Sequence, residues 1–322
     1  MTTNLPSPIP FQQLLETVWL DETFIEGGLF SRGDTLLVGA ESKAGKSTLL
    51  SLLVRELMAG GNFLGFVIPR PLTVLYMQAE LREARLKARL LPTYASLSAP
   101  ILGQSYIWNT RGNILLGRDN ALIFEWIEKL KPDVVFIDPL ANFHPYDENN
   151  AMEMMKLLRL FDKMKFDFNL SLILSHHFRK VGTDKATDSL LERLRGSSAL
   201  RGWVDTTIAI EGRTKSGYRR LEFDTRNSDE PIRRLIRYNP TTKDFDWHDP
   251  LAEVYAMLSE KMNGEVMPTA QVIQLILTEC GHLIGRNRTK AFELKEALVG
   301  MNQLAQSNGP GNSVLLSISI PE

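Results

Sequence analysis

The sequence predicts an α/β protein whose larger unit is built on a mostly parallel sheet. From Thr35 to about Tyr238, short β-rich runs alternate with helix-spaced segments, the pattern of a sheet covered by helices. The length of 322 residues exceeds what one core comfortably holds, so a large unit and a small one are expected. Beyond Asp249 the character changes to helical segments followed by two β-like runs. The units expected are 1–245 and 246–322.

The strands follow from short apolar or β-branched runs: Thr35 to Val38, Thr73 to Met77, Val134 to Ile137, Ser171 to Leu174, Thr206 to Ile210 and Leu221 to Thr225. Between them, Ser47 to Met58, Leu81 to Leu90, Ala121 to Leu130 and Ala151 to Phe166 carry apolar residues at helical spacing. The turn-rich run Asn239 to Asp244 reads as the start of the exit from this unit. In the tail, Leu251 to Met262, Thr269 to Cys280 and Thr289 to Met301 read as helices, and Asn308-Gly309-Pro310-Gly311-Asn312 reads as the turn of a hairpin.

Composition sets outer bounds. A net charge of -1 excludes a globally basic protein, so any nucleic-acid contact must come from local clusters of Lys and Arg. The single cysteine, Cys280, excludes an intramolecular disulfide and a cysteine-rich zinc site, and fits a reducing cytoplasm. The opening residues show neither a basic segment nor an apolar run, and no stretch approaches the ~18 apolar residues of a membrane span. The expectation is a soluble, cytoplasmic chain with no membrane partner.

The strongest motif follows the first predicted strand. Gly39-Ala40-Glu41-Ser42-Lys43-Ala44-Gly45-Lys46-Ser47-Thr48 leads from that strand into a helix. A loop wrapped around phosphates points successive backbone N–H groups inward, which requires glycine where a Cβ would block the approach, and Gly45 fills that position. Lys46 then reaches the β and γ phosphates, Ser47 is placed to ligate Mg²⁺, and the helix N-terminus favours the anion. ATP and Mg²⁺ are therefore the expected ligands. The strict pattern has glycine where this chain has Ala40, with Gly39 just before it.

Two acids extend the reading. Asp138 ends the run Val134 to Ile137 at the carboxyl end of a strand, the edge where open α/β sheets bind ligands, and is the candidate to hold the metal with Ser47. Taken alone, an acid there is more often just the start of a Pro-Leu turn; paired with the loop above, the metal-site role is favoured. Glu80 follows Val74 to Met77 and is either the base that orients the attacking water or an acid favoured by a helix N-terminus.

The segments AESKAGKS, YMQAE, VVFIDPLANFHPYDEN, LILSHHFRK and RGSSAL, in that order and spacing, resemble the RecA-like P-loop ATPases of the RepA-type hexameric helicase group over roughly residues 15 to 240. The resemblance implies a RecA-like core, with Glu80 as the catalytic carboxylate and Asp138 as the metal-site acid. It implies that His176 and His177 sense the γ-phosphate. The polar stretch 181–194 would correspond to a channel loop that contacts single-stranded DNA through Lys180, Lys185, Arg193 and Arg195. It also implies an arginine that reaches a neighbouring subunit's ATP, Arg226 in preference to Arg220, and hence a homo-oligomer, ring or filament. Leu81 stands where many relatives have aspartate.

The tail reads as a winged helix. Its third helix, preceded by Arg286-Asn287-Arg288 and carrying Lys290 and Lys295, is either a duplex-DNA recognition element or a solvated basic face on a protein-docking module. The function expected is an Mg²⁺-dependent ATPase acting on DNA, with a replicative helicase of a phage or mobile element as the leading role. A regulator or recombination mediator that assembles without unwinding is the alternative. A protein-assembly ATPase resembling the circadian-clock branch of the fold is a third class.

Overall fold

The computed structural model describes residues 8–18, 21–40, 43–177, 198–212, 217–226, 231–284, 286–300 and 303–319. In chain order the main elements are β1 (Thr35–Ala40), α1 (Lys46–Ala59), β2 (Val74–Gln78), α2 (Glu83–Tyr94), β3 (Tyr106–Asn109), α3 (Asn120–Leu130), β4 (Val134–Asp138), α4 (Ala151–Phe168), β5 (Ser171–His177), α5 (Ser198–Trp203), β6 (Thr206–Ile210), β7 (Tyr218–Thr225), β8 (Ile232–Asn239) and β9 (Asp244–His248). Among the described residues these strands form one nine-stranded sheet in the order β9-β8-β7-β6-β1-β5-β4-β2-β3. The six strands from β6 to β3 are parallel neighbours, and β7, β8 and β9 add antiparallel pairs at one side.

Strand alternation divides the core. Leu36, Val38, Val74, Tyr76, Val134, Phe136 and Ile173 face α1, while Leu37, Leu75, Met77, Val135, Ile137, Leu172 and Leu174 face α3 and α4. Both faces are covered, which is why these strands read as continuous apolar runs rather than alternating ones. α1 buries Leu49, Leu50, Leu52, Leu53, Val54 and Leu57, each contributing about 1.5–3 kcal/mol if fully removed from water. Tyr94 extends α2 past the expected end at Leu90, and its hydroxyl donates to the Ser51 carbonyl of α1 at 3.1 Å.

Three strands of this sheet escape the sequence reading: β3, β8 and β9. The turn Asn239 to Asp244 closes the β8–β9 hairpin instead of leaving the unit, with Asn239 paired to Asp244, and the expected division at 245/246 falls inside β9. Asp249 caps the next helix, its carboxylate accepting from Leu251 and Ala252 N–H.

The tail runs α6 (Pro250–Met262), β10 (Met267–Pro268), α7 (Thr269–Glu279), α8 (Gly281–Ile284), α9 (Arg288–Gly300), β11 (Leu304–Asn308) and β12 (Val314–Ile318), its strands forming a sheet ordered β10-β12-β11. The three expected helices and the hairpin are present, with β10 and α8 additional. The tail core of Val254, Leu258, Val272, Ile276, Leu298 and Leu316 continues onto Tyr218 of β7 and Leu235 of β8. Lys295, expected as an exposed cation of the recognition helix or of a solvated basic face, is instead buried at 4% exposure and paired with Glu296, because it points to the packed side of α9. No helix among the described residues is long and apolar enough to cross a membrane.

Candidate active site at the carboxyl edge of the sheet

β1 ends beside β5 and β6, with Ala40 in register with His177 on one side and Ile210 on the other. Of the loop residues, Glu41 and Ser42 lie outside the described residues. Gly45 has φ +94°, and a Cβ on it would sit 2.8 Å from the Phe245 ring and 3.1 Å from Arg219 Nε. Glycine is thus required there twice, by backbone conformation and by space. α1 begins at Lys46, and the Thr48 and Leu49 N–H groups both donate to the Gly45 carbonyl, which ties the loop to the first turn.

Lys46, Ser175, Asp138 and Tyr76 form one chain. The Lys46 ammonium donates to Ser175 Oγ at 2.5 Å, and the Ser175 hydroxyl donates to Asp138 Oδ1 at 2.6 Å. The Tyr76 hydroxyl donates to Asp138 Oδ2 at 2.7 Å, and Lys46 Nζ lies 3.6 Å from Asp138 Oδ1. Burial pushes the Lys46 amine below its ordinary value, opposed by Asp138 and then Glu80. Burial, then the Asp138 charge, raises the Tyr76 phenol well above its usual range, so it stays a donor. Tyr76 and Ser175 were invisible as site residues in the sequence, since each depends on strand register.

Glu80 sits two residues past β2, in a turn built by Gln78. The Gln78 carboxamide oxygen accepts from Leu81 N–H at 2.9 Å and Glu80 N–H at 3.2 Å, and its amide donates to the Leu81 carbonyl at 2.8 Å. α2 starts at Glu83, so the first-turn acid of that helix is Glu83 and not Glu80. The Glu80 side chain is 50% exposed, with Oε1 4.0 Å from His177 Nε2.

Strand alternation separates the two histidines. His177 lies beside Glu80, and burial followed by the Lys46 charge lowers its pKa. His176 is buried and points the other way, 3.6 Å from Glu148, and burial likewise lowers its pKa. The two expected arginines lie at opposite ends of β7, and only Arg220 is at this edge. Arg226 lies beyond Thr225, which pairs with Thr206 at the opposite end of β6, and its guanidinium donates to the Trp203 carbonyl at 2.9 Å and pairs with Asp205 at 3.2 Å. Arg220 precedes Leu221, which pairs with Ile210 at the loop end of β6, and its Nε lies 3.4 Å from Glu211. Lys180, Lys185, Arg193 and Arg195 lie outside the described residues. Among the tail cations, Arg286, Arg288 and Lys290 are exposed, and the Arg288 guanidinium lies 6.0 Å from the Phe292 ring centre.

A glycine-bearing loop between the central strand and a helix, with the lysine that opens the helix facing the acid of a nearby strand, defines a P-loop protein. The chain belongs to the AAA-domain family, whose model matches residues 21–183. It is similar in fold to a solved structure titled "The Structure Of A DnaB-Like Replicative Helicase And Its Interactions With Primase", with 13% identity and a TM-score of 0.51 over 66% of this chain. The match covers 57% of that chain. Comparison with curated proteins gives no match.

Proposed function

We propose that the protein is an Mg²⁺-dependent ATPase that acts on DNA as an oligomer, in the manner of a RepA-type replicative helicase of a phage or mobile element working in the cytoplasm. The observation that carries the reading is the convergence of Lys46, Ser175, Asp138, Glu80 and His177 on one sheet edge beside the Gly45 loop. Likeness of fold to a replicative helicase supports the DNA role.

In the proposed reaction the Lys46 ammonium leaves Ser175 for the β and γ phosphates, where its charge offsets theirs. The donor set fits a magnesium ion: a hard carboxylate oriented at both oxygens, and the Ser47 hydroxyl in the first turn of α1. When bound, the metal supplies charge neutralisation at the phosphates. Glu80, half exposed and anchored by the Gln78 turn, takes the proton of the attacking water. His177 faces the place where the γ-phosphate would lie and can donate a hydrogen bond that ends when phosphate leaves.

We read the tail as a winged helix whose exposed Arg286, Arg288 and Lys290 meet duplex DNA, and the unit boundary as falling at Asp249. Single-stranded DNA would meet the segment after His177. The trans-acting arginine would be Arg226 only if oligomerisation freed it from the Trp203 carbonyl and Asp205. Phosphate release with and without single-stranded DNA, paired with unwinding of a forked duplex, tests the proposal. DNA-stimulated hydrolysis with unwinding is expected. DNA-stimulated hydrolysis without unwinding would favour the regulator or recombination mediator, hydrolysis indifferent to DNA would favour the protein-assembly ATPase, and no hydrolysis would refute the reading.

A further inference from the structure

Behind the sheet, on the face away from α1, three polar atoms converge that the proposed reaction leaves unused. His144 Nε2 and His176 Nδ1 each lie 3.6 Å from Glu148 Oε1. All three atoms are buried, and none has a hydrogen-bond partner among the described residues. The His144 and His176 side chains are 1% and 9% exposed. A buried polar group left unpaired costs about 1–3 kcal/mol, so three such atoms meeting across one carboxylate oxygen form a charge-stabilised cluster a few tenths of an ångström short of two charge-assisted hydrogen bonds.

A cation does not suit the cluster. The Tyr146 N–H donates to His144 Nδ1 at 3.2 Å, so the ring proton of neutral His144 is on Nε2. That nitrogen has no lone pair for a metal, and it is a donor aimed at the carboxylate. His144 followed by His176 holds the Glu148 carboxyl below the usual carboxylate range against the opposing effect of burial, which keeps it ionised.

The cluster joins the two segments that make the site. His144 and Glu148 belong to the loop that leaves Asp138 and leads into α4. His176 lies between Ser175, which bonds Lys46 and Asp138, and His177, which faces Glu80. Because side chains alternate along β5, Ser175 and His177 point to the nucleotide side and His176 to the back. Glu148 therefore grips from behind the strand end whose front carries two groups of the site. We infer that Glu148 is a positioning residue for ATP hydrolysis: through His176 it fixes the end of β5, and with it Ser175 and His177, against Asp138 and Glu80. This inference rests on the ATPase reading given above.

The charged and titratable groups that act on His176 are Glu148 and His144 on its own face of the sheet and His177 and Lys46 on the other. Burial disfavours its protonated form, and Glu148 alone of these opposes that effect. Loss of the Glu148 charge moves the titration of His176 further down.

The test uses the full chain with Glu148→Gln, Glu148→Asp, His176→Asn and the Glu148→Gln/His176→Asn double variant, with Lys46→Ala as control. Phosphate release against ATP concentration is measured in the presence of single-stranded DNA. Histidine ring resonances are followed by NMR through a pH titration, which does not need turnover. Glu148→Gln is expected to lower kcat about tenfold, equivalent to about 1.4 kcal/mol, with KM for ATP almost unchanged. Glu148→Asp retains more turnover than Glu148→Gln, the double variant is no slower than the worse single one, and His176 titrates lower in Glu148→Gln. Wild-type kcat in Glu148→Gln, losses that multiply in the double variant, or an unmoved His176 titration would each overturn the inference. Wild-type turnover in Lys46→Ala would instead overturn the ATPase reading, and this inference with it.

Discussion

Replacing Tyr76 with phenylalanine deletes one oxygen and little else. The ring keeps its edge contact with Phe136, at 4.9 Å between centroids, and its place in the core. What goes is the 2.7 Å hydrogen bond to Asp138 Oδ2. A hydrogen bond to a charged group is worth about 1.5–3 kcal/mol net. Ser175 still holds the other oxygen at 2.6 Å, so the lower end of that range applies. If Asp138 orients Mg²⁺, the free energy appears in metal use, as about a tenfold rise in the Mg²⁺ concentration that gives half-maximal phosphate release. Binding of a fluorescent ATP analogue without Mg²⁺ should be unchanged, because Lys46 and the loop are untouched. An unaltered Mg²⁺ dependence would refute the assignment of Asp138 as the metal-site acid.

Other expectations follow from the same structure. Gly45→Ala meets both positive φ and a 2.8 Å approach to Phe245, so it should weaken ATP binding at least about tenfold by titration calorimetry, and near-wild-type affinity would contradict the loop geometry. Asp34 is raised to about 6 from 3.8, chiefly by burial and also by Asp205 and Asp21, against the Ser31 N–H that lowers it. Its ionised form therefore costs stability above pH 6, and the cost is relieved as pH falls through 6 toward 3.8. Asp34→Asn should stabilise the protein by about 1 kcal/mol at pH 8 in chemical denaturation, after discounting for partial solvation, and by nothing below pH 3.8. Arg288→Ala with Lys290→Ala should weaken duplex binding and lower its salt slope by about two, read by fluorescence anisotropy. An unchanged slope would remove the tail from DNA contact.

The parallel heart of the fold was legible because its strands are buried on both faces. Val134 to Ile137 and Ser171 to Leu174 admit few other readings. β8 was not, since Arg233, Arg234 and Arg237 interrupt its apolar run, and the antiparallel side of a sheet tolerates cations directed to its surface. β3 is short and half exposed, so Tyr106 to Asn109 carry no alternation to detect. Lys46, Asp138 and Gly45 were readable from chemistry local in sequence. Tyr76 and Ser175 were not, because their meeting with Asp138 depends on β2 and β5 flanking β4. Glu148 carries no local signal for the same reason: its partner His176 is distant in sequence. The histidine pair shows the limit of motif reading, since adjacent letters on a strand must face opposite sides.

The most direct measurement pairs ATP binding with turnover in Glu80→Gln, using calorimetry for affinity and phosphate release for hydrolysis, each in the presence of Mg²⁺ and single-stranded DNA. The variant should bind ATP within about threefold of wild type while losing hydrolysis by a factor of at least about a hundred, the scale of a removed general base. Hydrolysis at the wild-type rate would place the base elsewhere and contradict the proposed site.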